Sequence, residues 1–156
     1  MKSFFLNKRY KTLILPLLFL IILFTNCNDD ETYHNIPDVY INYEINLNLP
    51  QFNNLVHAGG YVYIDNEGYN GLLIVHYYDD TYIAIERTCT YEPLKECSVL
   101  YVDDSGIFIK CGKEEGDCCD SRFQMDGTVM HGPAKYPLRT YNLVHTGDKL
   151  TISNSF

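Results

Sequence analysis

From residue 39 to residue 49 every second side chain is large and apolar. Val39, Ile41, Tyr43, Ile45, Leu47 and Leu49 fall on one side of an extended chain, and Asn42, Glu44, Asn46 and Asn48 on the other. This period of two is that of a half-buried strand, and it excludes a helix, whose apolar face recurs every three to four residues. Pro50 ends it, because proline has no N–H to give to a ladder. Further β-branched and aromatic runs follow at short spacing: 61–64, 72–78, 82–85, 98–102, 106–110, 140–145 and 149–152. Turn chemistry separates them, as in Asp65-Asn66-Glu67-Gly68, Asp103-Asp104-Ser105-Gly106 and Thr146-Gly147-Asp148. The last two runs read as a C-terminal hairpin. No stretch carries a helical period and no internal repeat is present. The expectation is an all-β chain, a small antiparallel sandwich or barrel over residues 38–156.

Charge narrows the function. The chain of 156 residues carries a formal −8. All charges in the first 26 residues are positive (Lys2, Lys8, Arg9 and Lys11), which leaves eight basic against twenty acidic side chains beyond them, or −12. So acidic a domain has no basic surface with which to displace counterions from phosphates, so nucleic acid is not an expected partner. Anionic lipid is not expected to bind it by charge either. Glycine-rich phosphate loops, H-E-x-x-H and G-x-S-x-G are all absent from the sequence.

The N-terminus reads as a targeting segment. A basic stretch is followed by twelve residues, 13–24, that are apolar apart from Pro16. Twelve residues are short for a membrane span, which takes about 20, and suit the apolar region of a secretory signal over 1–26. The run ends Phe24-Thr25-Asn26-Cys27. A cysteine there resembles the lipobox of bacterial lipoproteins, in which it becomes the diacylated N-terminal residue. Asn26 departs from the usual small residue before it. Asn28-Asp29-Asp30-Glu31 is similar to the acidic tails that send some lipoproteins to the cell surface. The expectation is a lipid anchor at Cys27, a tether over 27–37, the membrane as partner through that anchor, and residence in the cell envelope at the outer membrane or surface.

Five cysteines remain: Cys89, Cys97, Cys111, Cys118 and Cys119. They lie in two loops that follow strands, 87–97 and 111–123. Two cysteine-bearing hairpin loops are a common way to build a metal site. An exported domain can equally use them in disulfides, and five thiols leave one over. Arg87 and Arg122 border the loops, where they could lower thiol pKa values or pair with Glu86, Glu92 or Asp120. Glu114, Glu115 and Asp117 read as a solvated loop face.

The second loop continues into Asp120-Ser121-Arg122-Phe123, a Gly127 turn, and Gly132-Pro133-Ala134-Lys135-Tyr136-Pro137-Leu138-Arg139-Thr140-Tyr141. This is similar to the second half of Rieske 2Fe–2S domains, whose ligand loop leads into G-S-x-F and then G-P-A-x-x-P-L-x-x-Y. Cys89-Thr90-Tyr91 lines up with that family's C-x-H. The resemblance covers roughly residues 60–153. It implies a Rieske-like β-domain, electron transfer through a 2Fe–2S cluster and a redox protein as partner. It also implies that Gly132, Pro133 and Ala134 form the loop that covers the cluster.

Carried over residue by residue, Cys89 and Cys111 match the two cysteine ligands. Tyr91 and Cys119 stand where the two histidines belong, and the second loop is about five residues longer than the family's. None of the five histidines lies between the cysteines of either loop; His131 is nearest, beside the covering loop. Three outcomes stay open. A cluster could be held by Cys89, Cys111, Cys119 and a further thiolate from Cys118 or Cys97. The cysteines could pair instead, with Cys97–Cys118 reproducing the inter-loop disulfide of high-potential Rieske proteins and Cys89 joined to Cys111 or Cys119. A thiolate zinc site is the third. The competing functional class is therefore a degenerate, disulfide-stabilised structural or interaction domain. Catalysis is not expected, since Rieske oxygenases add a second domain with a mononuclear iron.

Overall fold

The computed structural model describes residues 36–79, 81–113 and 118–154. Cys27, the 1–26 segment, most of the tether, His34, Glu114, Glu115 and Asp117 lie outside them. Among the described residues there are ten strands: β1 (Asn42–Asn46), β2 (Tyr61–Ile64), β3 (Leu72–His76), β4 (Tyr82–Glu86), β5 (Leu100–Val102), β6 (Phe108–Cys111), β7 (Arg122–Gln124), β8 (Val129–His131), β9 (Thr140–Thr146) and β10 (Lys149–Ser153). The all-β expectation is met. Among the described residues no helix is long and apolar enough to cross a membrane.

Two antiparallel sheets form. The larger has six strands in the order β1-β10-β9-β4-β3-β2, the smaller has four in the order β5-β6-β7-β8. The β9–β10 pair is the C-terminal hairpin, with Thr146 opposite Lys149 across Gly147. Gly147 has φ +60°, a left-handed value that glycine reaches without a Cβ penalty. β1 closes the edge by pairing with β10, Ile45 opposite Leu150.

β3 sits inside the larger sheet and every one of its residues is buried. That burial explains its unbroken apolar run, because both faces of the strand meet a core. Leu73 and Val75 face one core with Ile85, Leu100, Ile109, Phe123, Leu138, Cys89 and Cys111. Leu72 and Ile74 face another with Ile41, Ile45, Phe52, Leu55, Tyr141, Leu150 and Ile152. The first core lies between the two sheets, and the cysteine loops emerge from it.

Three features depart from the sequence expectation. The strand over 39–49 is ordered as β only at 42–46, and Leu49 is exposed. After it, Pro50–Val56 forms a 3-10 helix, with proline in its first turn and Phe52 and Leu55 buried one turn apart. Gly60 makes room for it: a Cβ there would lie 1.7 Å from the Asn54 carbonyl oxygen. β7 and β8 are additional strands within what reads in sequence as a continuous loop.

A buried polar network ties the larger sheet to the loops. Glu86 is wholly buried and accepts from the Tyr141 hydroxyl (2.7 Å), the Tyr69 and Asn70 amides and the Thr88 hydroxyl. Four donors on one carboxylate offset the cost of taking it out of water. Next to it, Arg87 lies over the Tyr63 ring, 4.1 Å from its centroid, and pairs with Asp65 at 2.6 Å. Its Nε donates to the Leu100 carbonyl. Asp65 is thus the ion-pair partner, in place of the expected Glu86, Glu92 or Asp120. Arg122 lies over the Phe108 ring.

Candidate functional site

Cys89 follows β4, at the point where the chain crosses from the larger sheet to the smaller. Thr88 bridges to Val99, and the Cys89 amide donates to the Ser98 carbonyl at 2.8 Å. Cys111 is the last residue of β6, where it pairs with Leu100 and its amide donates to Ser121. The β5–β6 ladder fixes the backbone of Cys111, an isolated bridge and the Ser98 hydrogen bond fix that of Cys89, and both side chains are buried, Cys89 at 0% and Cys111 at 3% exposure. Cys119 approaches from the second loop and is half-buried. The three sulfurs all lie within 4.8 Å of one another. The Cys89 and Cys119 sulfurs are 3.8 Å apart.

Cys97 and Cys118 are joined in a disulfide, with their Cα atoms 5.2 Å apart. It ties loop one to loop two beside the sulfur group. Of the two assignments open to Cys118, ligand or bridge, the bridge is the one present, and Cys118 is therefore not one of the gathered thiols. The pairing of Cys89 with Cys111 or Cys119 is not present, since all three are free thiols. Among the described residues no imidazole or carboxylate joins the group.

Ser121 links the thiols to the covering loop. Its hydroxyl accepts from the Cys119 thiol at 3.1 Å and from the Ala134 amide at 2.9 Å. Ala134 is buried in the same core as Cys89 and Cys111. The Gly132–Pro133 bond is cis. Further along, the Tyr136 carbonyl accepts from the Thr90 hydroxyl of loop one at 2.8 Å. The segment 132–136 is thus fastened to both loops. Tyr91 and Tyr136 are partly exposed on its rim, as is Met130. His131 ends β8 with an exposed side chain. Ser121 is the member of the site whose role sequence reading missed. It stands in the motif, but only the fold brings it between a thiol and the Ala134 amide.

The thiols share charge unevenly. Cys89 is held down to about 7 from an ordinary 9.0, first by a hydrogen bond from Cys111. Burial opposes this, and the Tyr91 amide, Cys119 and Ser121 add further hydrogen bonds in its favour. Cys111 is pushed far up, first because it is the donor of that bond and then by burial. The leading causes of both shifts are the neighbouring sulfurs and burial; of the two roles open to Arg87 in the sequence, the ion pair is the one present. One buried thiolate beside two neighbouring sulfurs is a soft, anionic donor set suited to a thiophilic metal ion.

No protein-family model matches the sequence, and no curated protein does. Among solved structures, the plasma membrane Rieske protein PetC3 of the cyanobacterium Synechocystis PCC 6803 is similar with a TM-score of 0.43 at 21% identity, over 53% of this chain and 76% of that one. The ferredoxin of carbazole 1,9a-dioxygenase from Nocardioides aromaticivorans IC177 is similar with a TM-score of 0.41 at 19% identity, over 64% of this chain and 88% of that one.

Proposed function

We propose that this chain is a cell-envelope lipoprotein, anchored through Cys27, whose Rieske-like β-domain holds a thiolate-bound metal where that family holds its cluster. One observation carries the reading: Cys89, Cys111 and Cys119, from two loops and 30 residues of chain, bring their sulfurs within 4.8 Å of one another. The 132–141 frame supports the kinship, since its Ala134 amide reaches the site through Ser121.

The family's own cofactor does not fit this donor set. A Rieske centre gives one iron two cysteines and the other two histidines, and the imidazoles set its high potential. Here the two histidine positions are Tyr91 and Cys119, and among the described residues no imidazole belongs to the group. Electron transfer to a redox partner through a histidine-ligated cluster is therefore not the activity these residues support. Residence at the outer membrane or cell surface rests on the N-terminal pattern alone.

The Cys97–Cys118 bond favours a second reading, a metal-free domain stabilised by its disulfide and acting as a structural or interaction module. The two separate on protein exported in a bacterial host and purified without oxygen. Metal near one equivalent per chain, with the three thiols blocked until it is removed, is the expected result. Metal-free protein whose three thiols react at once with a thiol reagent supports the second reading. Metabolic labelling with a fatty acid, lost in Cys27→Ala, tests the anchor.

A further inference from the structure

We infer that the site takes a single closed-shell thiophilic ion, and not a two-iron cluster, with Cys89, Cys111 and Cys119 in three positions around it and a fourth position open. This rests on the metal-binding reading above and specifies what is bound. The argument is one of lengths. Around one ion with metal–sulfur bonds of about 2.3 Å, tetrahedral geometry sets neighbouring sulfurs about 3.8 Å apart. Cys89 and Cys119 are 3.8 Å apart, and no pair in the group exceeds 4.8 Å. In a two-iron cluster, bridging sulfides hold the irons apart, so thiolates on different irons stand well beyond the separation of two thiolates on one iron. A third thiolate on the second iron would have to stand off from both others. Here it stands off from neither.

The surroundings agree with one ion. Cys89 and Cys111 form a buried floor, and Cys119 alone is half-exposed, so an ion and its fourth ligand enter from that side. The disulfide withholds Cys118, the remaining sulfur in that loop. The Ser121 hydroxyl sits at the Cys119 sulfur and is itself held by the Ala134 amide, the outer support that orients a ligating thiolate. All-sulfur donors select soft ions over magnesium or calcium. Two ions share that chemistry: Zn2+, which would complete a tetrahedron with water, and Cu+, which is satisfied by three thiolates. In either case the metal–sulfur bonds form as the thiol protons leave to solvent, and no electron is exchanged.

The test is made on the full-length chain, metal-depleted with a chelator under argon, which keeps the three thiols reduced, and without reductant, which leaves the Cys97–Cys118 disulfide closed. Zn2+, Cu+ and, as a visible probe, Co2+ are titrated separately, and iron with sulfide is supplied in a fourth reaction. One ion per chain is expected, with the thiolate charge-transfer and ligand-field bands of tetrahedral cobalt. X-ray absorption on the unmodified protein should show three sulfurs plus one light atom for zinc, or three sulfurs alone for copper. Ser121→Ala should weaken binding about 10–100-fold without changing the stoichiometry, and Cys27→Ala should change neither. Two irons and two acid-labile sulfides per chain, displacing the single ion, would overturn the inference and leave the metal-binding reading standing. Failure of every metal to bind, with Cys89 and Cys119 joining when an oxidised disulfide reagent is added, would sink both.

Discussion

The disulfide between Cys97 and Cys118 closes a loop 21 residues long. Cross-linking a loop of that length removes roughly 11 cal/mol/K of chain entropy from the unfolded state, which is about 3 kcal/mol at 25 °C. The loop it closes contains β5, β6 and Cys111, so the constraint falls on the smaller sheet and on one wall of the sulfur site. Replacing both cysteines, as Cys97→Ser with Cys118→Ser, should therefore lower unfolding stability by about 3 kcal/mol. Urea denaturation without reductant reads it as a lower midpoint; the slope should rise only as far as an unconstrained unfolded chain exposes more surface. The same variant should bind metal more weakly, because Cys119 is the next residue after Cys118 and loses the anchor that holds loop two against loop one. A stability loss under about 1 kcal/mol would refute the reasoning, as would free thiols at Cys97 and Cys118 in the untreated protein.

Three other outcomes follow from the same structure. Phe123 is wholly buried between the two sheets, and Phe123→Ala should cost about 3–5 kcal/mol by chemical denaturation while leaving the Cys97–Cys118 bond intact by mass spectrometry. Tyr141→Phe removes one of four donors to the buried Glu86 carboxylate, and a loss of about 1.5–3 kcal/mol by urea denaturation is expected; no loss would mean that the remaining three donors suffice. In metal-free protein, Cys89 ionises near 7 when folded against 9.0 unfolded, so the unfolded chain binds more protons between those values. Its contribution is complete above pH 9 and lost as pH falls through 7. Cys111 is shifted upward and works in the other direction, reducing stability once the unfolded thiol ionises above 9. Denaturation across pH 6–10 should therefore show stability rising to about pH 9 and then falling, and Cys89→Ala should flatten the rising limb.

The fold was legible wherever a strand had a consistent environment along its length. β3 reads as an unbroken apolar run because both its faces are covered, and β10 alternates because Leu150 and Ile152 go inward while Lys149 and Thr151 face water. β7 and β8 have three residues each, too few for a period to register, and the side chain that gives β7 its place is Phe123 alone. The 3-10 helix was missed for a related reason. Pro50 correctly ends β1, but Phe52 and Leu55 make a single turn of three-residue spacing, and one turn is indistinguishable from a loop until the space above Gly60 is seen. The partner of Arg87 was missed because Asp65 lies 22 residues away and only the β2–β3–β4 arrangement brings them together.

The site was legible to the extent that the backbone dictates it. Cys89 and Cys111 follow or end strands, so their placement comes with the ladders that hold β5 and β6 against the end of β4. The adjacent pair Cys118 and Cys119 poses a harder problem, because each was a candidate ligand. Adjacent side chains in an extended stretch point to opposite sides, so the two sulfurs are unable to serve one compact centre together. The pair does split: Cys118 goes to Cys97 and Cys119 to Cys89 and Cys111. Sequence spacing does not say which goes where. The choice follows from position in the fold, since Cys119 lies two residues before Ser121, whose hydroxyl accepts from both the Cys119 thiol and the Ala134 amide. Exchanging the roles would require loop two to shift by one residue against a serine already held at 2.9 Å by the covering loop. The same hydroxyl thus holds the sulfur that is left to the site, while its neighbour is taken up in the bridge.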